Sequence, residues 1–315
     1  MDLPVPVPGP KEILVKVSVC GVCHTELDEI EGRLQPRLPV ILGHEIVGRV
    51  EGAGPEARTF RQGDRVGIAW INSACGRCRF CQEGNENLCA EFRGTGCHTD
   101  GGYAQYTVVS EDFAYPIPEG FSDPEAAPLL CAGAIGYRDL RLSGIKGGET
   151  LGLFGFGASA HIVIQMAKHW GCEVFVFTRS EQHQQLARTL GAAWAGKPGD
   201  APPRKLHGAI DFTPVGETVP IALRALEKGG RLIVAVIRKR NVIPPMDYAE
   251  LLWDEKEMKS VANITRADAK DFLSLAAQIS IIPEVEEFKL EEANEVLLEL
   301  KQGRIRGAAV LRMPR

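Results

Sequence analysis

The first third of the chain places its apolar residues in short runs that end at glycine. The segment EILVKVSV (12–19) alternates apolar and polar residues, which is the two-residue period of a strand with one buried face. HEIVGRVEGAG, DRVGIAW and GGYAQYTVVS are further short runs of this kind. Such runs, bounded by turn residues, predict strands. A proline-rich connector, YPIPEGFSDPEAAP, then leads into a predicted helix over 122–143.

From residue 150 onward the pattern changes to strands that alternate with helices. Apolar runs predict strands at TLGLFGFG, EVFVFTRS, GAIDFTP and RLIVAVI, with longer amphipathic segments between them. Strands joined through helices form right-handed crossovers and a parallel sheet. We therefore predict an α/β protein. It has a β-rich domain over 1–125, to which residues 282–315 return, and a doubly wound parallel-sheet domain over 126–281.

Composition narrows the class of protein. The 315 residues are enough for two cores, and 44% apolar with 24% charged residues is typical of a globular enzyme. A formal net charge of -5 leaves no basic footprint, so we expect no nucleic-acid partner. The start, MDLPVPVPGP, lacks the regions of a signal peptide, and the most apolar long stretch is interrupted by polar residues. We expect a cytoplasmic protein with no membrane partner.

Four of the nine cysteines lie in the segment CGRCRFCQEGNENLC. An odd number of cysteines in a reducing compartment argues against a disulfide framework. Four thiolates suit one tetrahedral Zn²⁺ and leave no position for a substrate, so such a site is structural. The alternative is an incidental cluster in a mobile loop. The predicted ligands are Cys75, Cys78, Cys81 and Cys89.

The segment GFGASA (155–160) lies between an apolar strand and a helix. It has the form G-x-G-x-x-A, a variant of the dinucleotide fingerprint. Gly155 permits the tight turn, and Gly157 lets a pyrophosphate approach the backbone at the helix N-terminus. Ala160 keeps the helix close to the strand. We predict that a dinucleotide binds here.

The tip of the next strand indicates which dinucleotide. An NAD site places an acidic residue there to hold the ribose hydroxyls. This chain has Thr178, Arg179 and Ser180 instead, and a cation with two hydroxyls suits a 2′-phosphate. We predict NADP(H) as the preferred cofactor, with NAD(H) as the alternative if Arg179 is only a solvated charge.

A second metal site is indicated by residues far apart in the sequence. Cys23 follows a predicted strand, His44 and Glu45 lie in a glycine-flanked turn, and Cys131 lies at a predicted helix. Two thiolates, one imidazole and an open fourth position are the ligand set of a catalytic zinc in alcohol dehydrogenases. Taken singly, either cysteine is more often a small buried apolar residue.

Taken in order, seven motifs resemble those of the zinc-dependent medium-chain alcohol dehydrogenases over nearly the whole chain. They are CGVCHTELD, GHEIVGRVEGAG, GDRVGIAW, SACGRCRFCQEGNENLC, DGGYAQY, LLCAGAIGY and GFGASAHIVIQMAK. The resemblance implies a GroES-like catalytic domain, a Rossmann domain and two zinc ions per chain. Cys23, His44 and Cys131 would be the catalytic zinc ligands. Glu45 would be the acidic residue that exchanges with water as a ligand.

The resemblance also implies a proton path. Thr25 falls on the hydroxyl that takes the alcohol proton, and Glu26 on the carboxylate that orients the zinc histidine. Two residues depart from the family pattern: Asp28 stands where many relatives have a histidine, and Glu26 replaces the commoner aspartate.

These observations lead to one expected function and two alternatives. We expect a zinc-dependent dehydrogenase that transfers hydride between NADP(H) and a small alcohol or aldehyde, assembled as a homodimer or homotetramer. One alternative is a zinc-independent enone or quinone reductase of the same superfamily. The other is a dinucleotide-binding protein without catalytic activity.

Overall fold

The computed structural model describes residues 3–314, and the chain divides into two compact units. One unit comprises Met1–Ala134 and Asn263–Arg315, and the other Ile135–Ala262. The domain boundaries predicted from the sequence, after 125 and after 281, differ from these. Packing explains the difference at both ends, because the fully buried ring of Phe272 lies directly against Gly133 in the first unit.

Strands and helices are numbered here in chain order. The strands are β1 Glu12–Val22, β2 Glu45–Ala53, β3 Arg65–Ile68, β4 Ile71–Ser73, β5 Arg93–Gly94, β6 Tyr106–Ser110, β7 Ala114–Pro116, β8 Thr150–Phe154, β9 Glu173–Phe177, β10 Trp194–Gly196, β11 Leu206–Asp211, β12 Leu226–Val234, β13 Glu257–Ser260, β14 Val285–Lys289 and β15 Ala308–Arg312. The helices are α1 His24–Ile30, α2 Arg79–Gln82, α3 Asp123–Ala126, α4 Ala132–Ser143, α5 Ala158–His169, α6 Glu181–Thr189, α7 Thr218–Ala225, α8 Tyr248–Leu251, α9 Arg266–Gln278 and α10 Ala293–Lys301.

The first unit is built on a mostly antiparallel sheet. Its strand order is β14-β15-β1-β2-β3-β7, and β6 also pairs with β1. Strand β1 pairs antiparallel with β2, β6 and β15, so it is the centre of the unit. Its alternating residues Ile13, Val15 and Val17 are buried, as the two-residue period predicts. The end of the chain joins this sheet through β14 and β15.

The second unit is a parallel sheet in the order β10-β9-β8-β11-β12-β13. Numbered within the unit, this is the doubly wound strand order 3-2-1-4-5-6. Successive strands are added first to one side of β8 and then to the other, so the strand order reverses between β8 and β11. All residues of β8 are buried, because helices cover a parallel sheet on both faces. Phe154 and Phe177 stack in its core with ring centroids 4.1 Å apart. The predicted α/β fold class is confirmed.

The predicted helix over 122–143 is in fact interrupted. Helix α3 is followed by a 3₁₀ turn, Ala127–Leu130, and α4 starts only at Ala132. Pro128 lies in the 3₁₀ turn and lacks an N–H donor, so the α-helical ladder cannot run through it. Cys131 stands at the break with φ -125° and ψ -72°. No helix among residues 3–314 is long and apolar enough to cross a membrane.

Candidate functional site

The structure brings together the four residues predicted for the second metal site. One ligand atom from each of Cys23, His44, Glu45 and Cys131 lies within 4.8 Å of the others. Strand pairing explains the assembly, because Gly21 near the end of β1 is in register with Glu45 at the start of β2. Cys23 immediately follows β1. A Cβ atom on Gly21 would lie 1.9 Å from a carboxylate oxygen of Glu45, so only glycine leaves room for this side chain.

His44 is held by a buried carboxylate. Its Nδ1 lies 2.7 Å from Oε1 of Glu26, and both side chains are almost fully buried. The second oxygen of Glu26 accepts a hydrogen bond of 2.8 Å from the backbone N–H of Cys23, so one carboxylate ties α1 to the histidine. The ring of Trp70 packs edge-on against His44 with centroids 5.1 Å apart. This packing fixes the imidazole plane.

The remaining histidine nitrogen indicates what the cluster holds. Nε2 of His44 is buried and has no hydrogen-bond partner among the described residues. An unpaired buried nitrogen is costly unless something outside the protein chain binds it. Two thiols, this nitrogen and a carboxylate oxygen form a donor set that fits zinc. The residues present therefore fit the metal that the sequence predicts.

The pKa values of the residues in the cluster also indicate that a cation would be stabilised there. The hydrogen bond from the Cys131 thiol, followed by contacts with His44, lowers the pKa of Cys23 well below its ordinary value. Burial, and then the negative charge of Cys23, raise the pKa of Glu45 well above its ordinary value. Burial alone lowers the pKa of His44, but Glu26 and Cys23 outweigh it and raise that pKa. Anionic groups therefore converge in a space that favours a positive charge.

Thr25 is placed at the edge of this cluster. Its Oγ1 lies 3.5 Å from the sulfur of Cys23, and its side chain is buried. Asp28, which stands where many relatives have a histidine, forms an ion pair with Arg33.

Sequence reasoning missed Glu29, which is buried on α1 one turn after Glu26. Burial, and then the charge of Glu26, raise the pKa of Glu29 to about 8. The spacing of three residues between the two glutamates on one helix was the available signal.

The four cysteines predicted for a structural metal site also lie close together. One sulfur from each of Cys75, Cys78, Cys81 and Cys89 lies within 4.8 Å of the others. Backbone amides point at these sulfurs: the N–H of Cys78 donates to Cys75 over 3.3 Å, and that of Glu91 to Cys89 over 3.3 Å. The amides of Arg77 and Cys78 lower the pKa of Cys75 to about 6. Burial, and then the neighbouring thiols, raise the pKa of Cys81 to about 12, so without a cation the loop favours the thiolate form, which binds zinc, at Cys75 and disfavours it at Cys81.

The predicted dinucleotide turn lies between β8 and α5, at the carboxyl end of the sheet. Gly155 has a φ of +86°, a conformation that favours glycine. A Cβ atom on Gly157 would meet no atom within 4 Å, so its backbone faces open space in which a phosphate can approach. Ala160 is fully buried against the sheet. The geometry of all three residues fits the fingerprint.

The tip of β9 carries the residues predicted to select the cofactor. Thr178 is buried, with its N–H bonded to Gly196, and the hydroxyl of Ser180 caps α6 by accepting from the N–H of His183. Arg179 is exposed and forms no ion pair within the part of the chain that the structure describes. Of the three, Arg179 alone has its polar side-chain groups free in solvent.

Comparison with known proteins defines the family. Residues 9–119 match the family "Alcohol dehydrogenase GroES-like domain" and residues 160–278 match "Zinc-binding dehydrogenase". "Probable alcohol dehydrogenase AdhA" of Mycobacterium tuberculosis is 48% identical over 313 residues, covering 98% of this chain and 90% of that protein. An alcohol dehydrogenase of Geobacillus stearothermophilus is 35% identical and covers 96% of this chain and 91% of its own length.

A solved structure agrees with these relatives. Acetophenone reductase from Geotrichum candidum, in complex with NAD, superposes with a TM-score of 0.91 at 28% identity, covering 99% of this chain and 92% of that one. Fold, site and relatives together define an oxidoreductase of the alcohol dehydrogenase type that uses a nicotinamide cofactor. The chain belongs to the zinc-dependent medium-chain dehydrogenase/reductase family, which confirms the resemblance seen in the sequence.

Proposed function

We propose that this protein is a zinc-dependent alcohol dehydrogenase that transfers hydride between NADP(H) and a small alcohol or aldehyde. The observation that carries the proposal is the cluster of half-buried Cys23 and Cys131 with the buried His44, whose Nε2 has no hydrogen-bond partner among the described residues. Neither alternative function, a zinc-independent enone reductase or a non-catalytic dinucleotide-binding protein, requires such a cluster.

Cys23, His44 and Cys131 would hold the catalytic zinc, and Glu45 would be the ligand that exchanges with water or substrate. When bound, zinc supplies Lewis acidity toward an alcohol or carbonyl oxygen. The chain orients the metal ligands through Glu26, which fixes both His44 and the start of α1. Partners of this kind set the direction and basicity of a ligating histidine.

The proton would leave the alcohol through Thr25. Its buried hydroxyl lies beside Cys23 and can accept one proton while it donates another. The nicotinamide ring, when bound, accepts or donates the hydride. The turn from Gly155 to Gly157 would hold the cofactor pyrophosphate, and the protein atoms there do no chemistry of their own.

Cys75, Cys78, Cys81 and Cys89 would hold the second zinc in a closed shell of four thiolates. The preference for NADP(H) rests on Arg179, whose exposed guanidinium is free to form paired hydrogen bonds with a 2′-phosphate.

Replacing His44 tests the catalytic proposal. The wild-type protein should contain two zinc ions per chain and reduce aldehydes with NADPH, whereas His44→Ala should contain one. Aldehyde reduction by the variant should fall by roughly a thousandfold, because several kcal/mol of Lewis-acid stabilisation are lost. Cofactor affinity, measured by NADPH fluorescence, should stay unchanged.

His98→Ala is the matched control, since His98 lies outside the cluster and accepts a hydrogen bond from Gly94. It should keep both zinc ions and the activity. Undiminished carbonyl reduction by His44→Ala, or reduction of an enone C=C bond by both variants, would favour the zinc-independent rival.

A further inference from the structure

In the second unit, the loop after β12 lies across the loop after β11. The N–H of Arg240 donates to the carbonyl of Pro214 over 2.7 Å, and the N–H of Gly216 donates to the side chain of Asn241 over 3.1 Å. Added atoms would not fit between the loops, because a Cβ on Gly216 would lie 2.3 Å from the carbonyl of Val242. The two loops therefore form one packed layer at the carboxyl ends of these strands.

A single lysine ties this layer to the sheet. The ammonium of Lys239 lies 2.6 Å from Oδ2 of Asp211, the last residue of β11, and 2.6 Å from the carbonyl oxygen of Thr213. Asp211 is fully buried and the Lys239 side chain is 11% exposed. The other carboxylate oxygen of Asp211 accepts from both the N–H and the hydroxyl of Thr213, over 2.9 and 2.7 Å. Thr213 is thus held at three points.

Thr213 in turn forms the wall behind the dinucleotide turn. A Cβ on Gly155 would lie 3.2 Å from the Cγ2 of Thr213 and 3.6 Å from Phe212. The N–H of Phe212 donates to the carbonyl of Phe154, directly before that glycine, over 2.9 Å. The contacts therefore run without interruption from Lys239 through Thr213 to Gly155.

This chain of contacts lies at the part of the sheet where a ligand is expected to bind. In doubly wound sheets, ligands bind outside the carboxyl ends of the strands, at the point where the strand order reverses. In this sheet that point lies between β8 and β11. A buried ion pair stabilises a fold only weakly, because desolvation offsets most of the attraction. The flanking Arg238 and Arg240 are exposed and form no ion pair within residues 3–314. Only the middle cation of the three turns inward.

We propose that Lys239 is a positioning residue for the cofactor: through Asp211 and Thr213 it fixes the turn from Gly155 to Gly157 that receives the pyrophosphate. The inference rests on the proposed dinucleotide site. Lys239 contacts Asp211 and Thr213, so its effect should reach the cofactor through the turn and fall on the part of the ligand that the turn would contact.

Ligand fragments separate this effect from a general loss of structure. ADP carries the two linked phosphates, whereas adenosine carries none. Lys239→Met should weaken the binding of ADP and NADPH roughly tenfold, the lower end of the cost for partners that orient a binding group. It should leave the dissociation constant of adenosine unchanged. Lys239→Arg, which keeps the charge and the donors, should recover most of the loss, and Arg240→Met is the matched control without effect.

The double variant Asp211→Asn with Lys239→Met is a control for misfolding. It removes both buried charges together and so leaves neither of them unpaired in the folded protein. It should unfold at nearly the wild-type urea concentration and still bind ADP weakly. The inference is overturned if Lys239→Met lowers the unfolding midpoint while its ADP affinity stays at the wild-type value, or if ADP and adenosine weaken equally. A wild-type protein that binds neither NADPH nor NADH would instead overturn the proposed function, and this inference with it.

Discussion

Glu26 shows how much of the candidate active site depends on one side chain. It is fully buried, and its two oxygens reach His44 and the backbone of Cys23 at once. Through these two contacts one carboxylate serves as both helix cap and histidine partner. The positions of His44 and Cys23, two of the proposed zinc ligands, therefore depend on a residue that is not itself a proposed ligand.

Arg179 carries the prediction on cofactor choice. A charge-assisted hydrogen bond contributes about 1.5–3 kcal/mol, so one such contact to a 2′-phosphate shifts preference by roughly ten- to over a hundredfold. We expect a higher kcat/KM with NADPH than with NADH. Thr178→Asp combined with Arg179→Ile should reverse the order, because the new carboxylate accepts from ribose hydroxyls and repels phosphate.

Arg238→Ile is the control for this measurement, since it removes an exposed arginine in the loop after β12, another strand of the same sheet. It should leave the ratio of the two kcat/KM values unaltered. Equal values for both cofactors in the wild-type protein would mean that Arg179 is only a solvated charge.

Among the elements, α5 joins the dinucleotide turn to the core of the second unit. His161 lies in its first turn, fully buried, with Nδ1 3.2 Å from the carbonyl oxygen of Gly157. Burial lowers the pKa of His161 to about 4. The ring is consequently neutral at neutral pH, and it serves packing in this helix.

A neutral buried histidine makes folding sensitive to acid. Below pH 6.5 His161 is protonated in the unfolded chain, whereas in the folded chain it stays neutral until about pH 4. The contribution of the neutral histidine to the free energy of unfolding is therefore fully present above pH 6.5 and is lost as the pH falls. The loss approaches about 1.4 kcal/mol per pH unit. His161→Gln should therefore differ most from the wild type at pH 7, and the difference in urea midpoint should shrink toward pH 5.

His169→Gln is a control on the same helix, because His169 is exposed at the other end of α5. It should lower the urea midpoint at pH 7 by less than His161→Gln does, because it removes no buried side chain. A difference between His161→Gln and the wild type that did not narrow would show that His161 carries its proton in the folded protein.

At the scale of the whole molecule, both cysteine-containing clusters belong to the first unit and the dinucleotide turn belongs to the second. The four-cysteine loop is held in the first unit by an ion pair of 2.7 Å between the buried Glu86 and the half-buried Arg266, and the same arginine lies over the ring of Phe113. The loop is therefore part of the folded unit, and a metal bound by its four cysteines should contribute to the stability of that unit.

Cys81→Ser tests this contribution. The variant should lose one zinc ion per chain and unfold at a lower temperature, by about 2–4 °C for each kcal/mol lost. Amides between residues 71 and 95 should exchange faster, while those of the parallel sheet should not change. Activity per folded molecule should remain, because a closed shell binds no substrate.

Cys172→Ser is the control, since this buried thiol lies in the second unit and donates to the carbonyl of Lys146 over 3.4 Å. It should keep two zinc ions and the exchange pattern of the wild type. A full zinc complement in Cys81→Ser would show that the four thiols do not share a metal.

The sequence by itself determined whatever depends on residues close together in the chain. The four cysteines between 75 and 89 and the turn at 155–160 could be recognised because their geometry is local: a short loop or a single strand-turn-helix brings the groups together. Apolar and polar residues that alternate predicted the first strand of one sheet, and apolar runs separated by amphipathic segments predicted the other sheet. The spacing of Cys23, His44 and Cys131 in the sequence gave only weak evidence that they share a metal. The resemblance to a family strengthened that prediction.

The tertiary structure alone decided what depends on strand register and burial. Pairing of β1 with β2 brings Glu45 over Gly21, and the helix break after Pro128 places Cys131 beside the same cluster. The ion pair of Lys239 with Asp211 spans two loops, and the burial of Glu29 depends on what packs over α1. Such contacts leave no periodic pattern in the sequence, because their partners are joined only through the folded sheets.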